Sequence, residues 1–161
     1  MRSGSSITVD GYAPEHIDFA TVHAALEAPA KKFIDDMIEA AVVAESVPSG
    51  SKFSFIRIEG HADRVDTPGL SPEVRRAKEL ESSDLRAQAA QSFFFDEIAK
   101  RLLARGFVVP ADLGSTQNFF IDRVACGAAR LKHTVPTGEP ERRENRRVEI
   151  LAVDFLPGNP S

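Results

Sequence analysis

The sequence predicts an α+β sandwich: a small mixed sheet of about four strands, two long helices on one face, and an inserted helical loop. Three observations predict it. The run Phe53-Ser54-Phe55-Ile56-Arg57-Ile58-Glu59 is rich in aromatic and β-branched residues and is bounded by turn signals, which reads as a central strand. Two other segments carry apolar residues at three- and four-residue steps, the spacing of one helix face. Arg147 to Val153 alternates and then turns apolar, as a final strand does. The order strand, helix, strand, helix, strand, strand places the helices against one side of a sheet.

Composition bounds the rest. A chain of 161 residues predicts one domain. Its 42% hydrophobic and 27% charged residues are the mix of a globular chain with one core and exclude wholesale disorder. No stretch approaches the ~20 apolar residues of a membrane-spanning helix. With 20 basic against 24 acidic residues the chain is a poor partner for nucleic acid, whose affinity rests on neutralising phosphates. The single cysteine, Cys126, excludes an internal disulfide and reads as a small buried hydrophobe rather than a nucleophile. Residues 1–6 lack the apolar region of a secretory signal and read as a vector-derived scar or a cut linker. The domain then spans residues 7–156, and residues 157–161 form a frayed tail.

Taken in order, Ile7 and Val9 mark a short first strand, which Ile17-Asp18-Phe19 extends or repeats. Leu26, Ala30, Phe33/Ile34, Met37/Ile38 and Ala41 mark the first helix, whose regular part starts near Pro29 because proline is tolerated in a first turn. Ser46 to Ser51 ends it. After the central strand, Gly60-His61-Ala62-Asp63 opens a long polar stretch in which residues 72–78 form a short helix. Ser82 or Ser83 caps the second long helix, with Ala87, Ala90, Phe94, Ile98 and Leu102 on its buried face and Gly106 as a left-handed stop. The three rings of Phe93-Phe94-Phe95 do not all fit one core, so one covers a neighbouring element or a partner. Residues 118–124 read as a third strand, and residues 127–145, with Pro136, Gly138 and Pro140, as a loop. Arg142, Arg143, Arg146 and Arg147 read as a solvated turn leading into the last strand.

Few residues carry recognisable chemistry. The chain has no G-x-S-x-G, no H-E-x-x-H and no glycine-rich phosphate loop, so nothing points to an enzyme. His61 and Asp63 stand just past a central strand, where ligands of such sheets gather. As an H-x-D pair they lack further ligands at metal spacing, and Asp122 and His133 do not supply them, so no metal and no cofactor is expected.

Phe55 to Asp63 resembles the strand followed by G-H-T-D of the OmpA-like C-terminal domain family, which also occurs in Pal and MotB. Ser83-Asp84-Leu85-Arg86-Ala87 matches the family's S-x-x-R-A, and Asn145-Arg146-Arg147-Val148-Glu149-Ile150 matches its N-R-R-V-E-I in full. The motifs fall in family order across roughly residues 53–153. The interval from Asp63 to Arg86 is longer than the family's, which implies an insertion between residues 64 and 81. A second anchor, Leu70 to Ala77, resembles the same motif with one residue added and makes Arg76 the alternative to Arg86. The family's G-Y-G-E turn is reduced to Cys126-Gly127-Ala128-Ala129.

The resemblance implies non-catalytic binding of cell-wall peptidoglycan through the diaminopimelate of its peptide stem, in the periplasm, anchoring an envelope protein or complex to the wall. It implies that Asp63 receives the ammonium and Arg86 clamps the carboxylate, with Arg146, Asn145 and Ser83 around the same cleft and His61 supporting the loop. Arg146 and Arg147 alternate along a strand, so only one of them faces that cleft. The alternative is an OmpA-like fold that has lost the ligand and serves an envelope protein partner or a homodimer. A metal-dependent hydrolase built on His61 and Asp63 is the weakest reading.

Overall fold

The structure is a computed structural model, and it describes residues 2–12, 17–45, 53–106 and 119–155. Among these residues, four strands and three helices follow in the order β1 (Arg2–Val9), α1 (Phe19–Glu45), β2 (Phe53–Gly60), α2 (Pro72–Ala104), β3 (Phe119–Ala125), α3 (Glu139–Asn145) and β4 (Val148–Phe155). The sheet order is β1-β4-β2-β3. β2 is parallel to β3 and antiparallel to β4, and β4 is antiparallel to β1. This is the expected α+β sandwich with β2 in the interior of a mixed sheet.

Period-two alternation decides which side of the sheet is buried. Ile56 and Ile58 of β2 lie beside Ala152 and Ile150 of β4, and Ile56 lies beside Ile121 of β3. All five are buried in one cluster with Val22, Leu26 and Ile34 of α1 and Ala87, Phe94 and Ile98 of α2. Fully burying one such side chain contributes about 1.5–3 kcal/mol. The Phe93-Phe94-Phe95 run joins this core: Phe94 meets Phe33 edge-on at 6.1 Å, Phe93 meets His23 of α1 at 5.6 Å, and Phe95 is partly buried against the cluster.

Several elements differ from expectation. β1 begins at Arg2 and pairs with β4 along its whole length, so residues 2–6 extend the expected first strand. Ile17 and Asp18 precede α1, and Asp18 accepts hydrogen bonds from the Ala20 amide at 3.3 Å and the Thr21 hydroxyl at 2.8 Å. α1 starts ten residues before Pro29 rather than near it. The proline sits on the exposed side, where its missing N–H removes one bond of the ladder, while the buried stripe Val22-Leu26-Ala30-Ile34 runs straight past it.

α2 is one helix of 33 residues, not a short helix followed by a capped long one. Its N-cap is Ser71, whose hydroxyl accepts from the Val74 amide at 3.2 Å, and Pro72 occupies the first turn. Ser82 and Ser83 lie inside the helix, where the Ser83 hydroxyl donates back to the Leu80 carbonyl at 2.9 Å. The inserted segment is therefore largely an N-terminal extension of α2. The expected loop 127–145 contains α3, again with Pro140 in a first turn. Gly106 has the positive φ of 82° expected of a helix stop. The loop 46–51, Asn118 and the tail 157–161 lie outside the described residues.

Candidate functional site

The close approach of α2 to the end of β2 builds the site. A Cβ on Gly60 would lie 1.8 Å from the Ser83 carbonyl oxygen, so only glycine fits there. The chain past Gly60 is then held from both sides. The His61 amide donates to the Arg147 carbonyl at 2.9 Å, the Ala62 amide to the Gly127 carbonyl at 2.8 Å, and the Cys126 amide to the Gly60 carbonyl at 2.9 Å. Ser83 serves this junction: its buried hydroxyl accepts from the Gly127 amide at 2.9 Å.

This frame delivers Asp63, 8% exposed, to the N-terminal side of β4. Its Oδ1 accepts from Asn145 Nδ2 at 2.9 Å and its Oδ2 from Arg142 Nη1 at 2.8 Å. Asn145 is fully buried and also brackets His133, accepting from its amide at 2.8 Å and donating to its carbonyl at 2.9 Å. Arg142 bridges Asp63 to Asp66, also at 2.8 Å. Arg146 donates to the Tyr12 carbonyl at 2.5 Å and pairs with Glu139 through its other end. The Gly11–Tyr12 segment is fastened to the same helix end, since the Arg143 side chain donates to the Gly11 carbonyl at 3.1 Å.

Arg86 lies deepest. It is 0% exposed, and its Nη1 donates to the His61 carbonyl at 2.9 Å. Burial, then the charge of Arg146, pulls its pKa down to about 10, against the opposing influence of Tyr12 and Asp63. Burial pushes the Tyr12 phenol up to about 12. The Arg146 guanidinium thus sits close enough to destabilise the charge of Arg86, an environment that favours an anion.

A cleft of about 220 Å³ opens in front of these groups. It is lined by residues 62–67, by Glu79 and Ser82 of α2, and by Glu139, Arg142 and Arg146. The extension of α2 is one wall of it: Glu79 accepts from the Val65 amide at 2.9 Å, and Arg75 donates to the Thr67 carbonyl at 3.2 Å. The lining holds four carboxylates and three guanidiniums, so both signs of charge meet in one small recess.

Of the expected site residues, Asp63 and Arg146 line this cleft; Asn145 reaches it only through its hydrogen bond to Asp63, and Arg86 is fully buried outside the lining rather than positioned to clamp a ligand. The structure places Ser83 under the Gly60 junction and not in the cleft lining. Arg76, the alternative anchor, is on the exposed part of α2, with 69% of its side chain accessible and Glu73 as its partner at 3.7 Å. His61 contributes its backbone to the frame, while its ring turns to Glu59 and Glu149. Asp63 and His61 therefore do not converge as an H-x-D pair. Elsewhere, Glu59, His61 and Cys126 each bring one potential ligand atom within 4.8 Å of the others. Cys126 itself is partly exposed rather than buried.

The arginine cluster is not a solvated turn. Arg146 and Arg147 are buried and turn different ways, although both precede β4: Arg146, the C-cap of α3, lines the cleft, and Arg147 faces Glu149 at 2.9 Å. Arg142, which the sequence places only in that cluster, is the direct partner of Asp63. Its signal is its spacing. Arg142, Asn145 and Arg146 stand at helical i, i+3 and i+4 positions, visible once Pro140 is read as opening a helix.

The fold and cleft define a four-stranded α+β sandwich with a polar, doubly charged recess beyond its central strand. No family model matches the chain, and no curated protein matches it. Among solved structures, the chain is similar to the periplasmic domain of Helicobacter pylori MotB. One such structure gives 15% identity over 92% of this chain and 81% of the other, with a TM-score of 0.42. A second gives 15% identity over 97% and 78%, with a TM-score of 0.39. A third gives 17% identity over 97% and 75%, with a TM-score of 0.35.

Proposed function

We propose that this chain is a non-catalytic peptidoglycan-binding domain that acts in the periplasm and ties an envelope protein or complex to the cell wall. The observation that carries this reading is the cleft itself. Asp63 and Arg146, both inside motifs that resemble the OmpA-like family, face one small recess with opposite charges. A diaminopimelate side chain offers the complementary pair, an ammonium and a carboxylate on one carbon.

The internal ion pairs mark where each end would go. Arg142 on Asp63 stands where the ligand ammonium would sit. Glu139, with 61% of its side chain exposed, stands on Arg146 where the ligand carboxylate would sit. Binding then exchanges like for like, and no charge is stranded in the cleft. The partners being displaced are exposed enough to rehydrate. Arg86 acts from behind, through its charge, and Asn145 holds Asp63 in position.

Co-sedimentation with diaminopimelate-type sacculi tests this. The wild-type chain is expected in the pellet, and Asp63→Ala is expected in the supernatant while remaining folded. A folded wild-type chain that stays in the supernatant overturns the reading. It would favour the alternative, a fold kept for a protein partner or a second copy. That alternative has one observation in its favour. On the sheet face away from the helices, Phe55 and Phe120 stack at 5.5 Å, and Phe120 and Leu151 are 46% and 42% exposed.

A further inference from the structure

A second cluster of ligating side chains lies apart from the cleft, at the end of the open sheet face. Glu59 of β2 and Glu149 of β4 are direct register partners, so two carboxylates face each other across the strands. Like charges directly opposite one another are destabilising unless something stands between them. The His61 ring is what stands there. Its Nε2 is 3.5 Å from Glu59 Oε2 and 3.3 Å from Glu149 Oε2. The ring is 0% exposed, and among the described residues neither of its nitrogens has a hydrogen-bond partner. Cys126 completes the group, its position fixed by its backbone bond to Gly60.

We propose that Glu59, His61 and Cys126 bind a divalent cation of the Zn2+ type, with Glu149 as the fourth ligand. The two distances from His61 Nε2 to the carboxylates are those of atoms sharing an ion, while the Cys126 thiol lies within 4.8 Å of its Glu59 and His61 partners and Glu149 stands outside that group, so the thiol and Glu149 would draw in as the ion binds. Around a tetrahedral Zn2+ with bonds of about 2.0–2.2 Å to nitrogen and oxygen, ligand atoms stand about 3.3–3.5 Å apart. The donor set of thiolate, imidazole and carboxylate selects Zn2+ over Mg2+ or Ca2+, which take oxygen ligands.

The surroundings orient the carboxylates. Arg57 holds Glu59 Oε1 at 3.0 Å and Arg147 holds Glu149 Oε1 at 2.9 Å, which leaves each Oε2 turned to the histidine. Such outer partners are what fix the orientation of metal ligands. One cation competes: Arg130 approaches Glu59 Oε2 at 3.3 Å, but 64% of its side chain is exposed and it can withdraw into water. Glu59, Cys126 and Glu149 are partly exposed, so the ion has a path from solvent. Four ligands that come from β2, the turn after it, the turn after β3, and β4 leave no short spacing motif, which is why no metal site is visible in the sequence.

The test is a titration of the metal-stripped, reduced, tag-free chain with Co2+. The expected result is one Co2+ per chain, with a thiolate-to-cobalt absorption band that Zn2+ displaces. Cys126→Ser should abolish the band, and Glu59→Gln should weaken binding by about tenfold or more. Both side chains are partly exposed, so these variants are expected to keep the fold, checked by circular dichroism. Asp63→Asn, in the cleft, should bind Co2+ like the wild type. No band in the wild-type chain, or an affinity that Cys126→Ser and Glu59→Gln leave unchanged, overturns the proposal.

Discussion

Asp63 accepts a hydrogen bond from Arg142 at 2.8 Å, so a residue of α3 holds the carboxylate that ends the β2 motif. The pair spans 79 positions of sequence and closes the cleft from both sides. A carboxylate this buried cannot exchange its partner for water without cost. A double-mutant cycle of Asp63→Asn and Arg142→Ala, followed by urea denaturation, should give a coupling energy of about 1–3 kcal/mol. A coupling near zero would show that the two side chains do not depend on each other.

Gly60→Ala should be among the most damaging small substitutions in the chain. The added Cβ meets backbone, the Ser83 carbonyl at 1.8 Å, and not a side chain that can swing away. Displacing α2 should cost about 3 kcal/mol or more. Gly69→Ala is the control, because Gly69 has a φ of 82° and nothing within 4 Å of its Cβ position. Only backbone strain remains there, about 1–2 kcal/mol. Thermal denaturation of both variants ranks them, and equal losses would refute the packing argument.

Ser83→Ala separates structure from ligand. It removes the acceptor of the buried Gly127 amide. Leaving that donor unsatisfied should cost about 1–3 kcal/mol of stability. Below the melting transition the variant should still pellet with sacculi, because Ser83 does not line the cleft. Loss of pelleting with stability intact would instead make Ser83 a ligand contact.

Acid should expose one surface network. Hydrogen bonds from His133 at 3.0 Å and Lys132 at 2.9 Å hold the Glu144 carboxyl down at about 2, against an ordinary value of 4.5. A depressed folded-state value means that the unfolded chain binds the proton first. The stability from this network is therefore present above pH 4.5 and is lost as pH falls toward 2. Urea midpoints measured through that window should fall more steeply for the wild type than for Glu144→Gln. Added salt should shrink the difference, since these groups face solvent. Parallel slopes for the two proteins would remove Glu144 as the source.

The parts of the fold legible in the sequence are those where one periodicity dominates. Leu26, Ala30 and Ile34 recur every four residues and mark α1, and the aromatic and β-branched density of residues 53–59 between turn signals marks β2, so both are found directly. The boundaries failed where a local signal was outweighed. Ser82-Ser83 resembles a cap, yet with no proline or glycine between Glu73 and Arg105 the helix has no reason to stop. Pro29 resembles a start, yet a packed stripe runs past it. Asp63 and Arg146, which line the cleft, and Asn145, which holds Asp63, stand out in the sequence because they lie within short motifs. Arg142 and Tyr12 were not, since their roles come from contacts with residues far away in sequence.

The central claim is that the cleft recognises a side chain bearing both charges. The direct measurement is release of the wild-type chain from diaminopimelate-type sacculi by free diaminopimelate, compared with Nα-acetyl-lysine amide at the same concentration. Diaminopimelate should release the chain, and the blocked lysine, which offers an ammonium but no carboxylate for Arg146, should release far less. Equal release by the two, or none by diaminopimelate, would contradict the account.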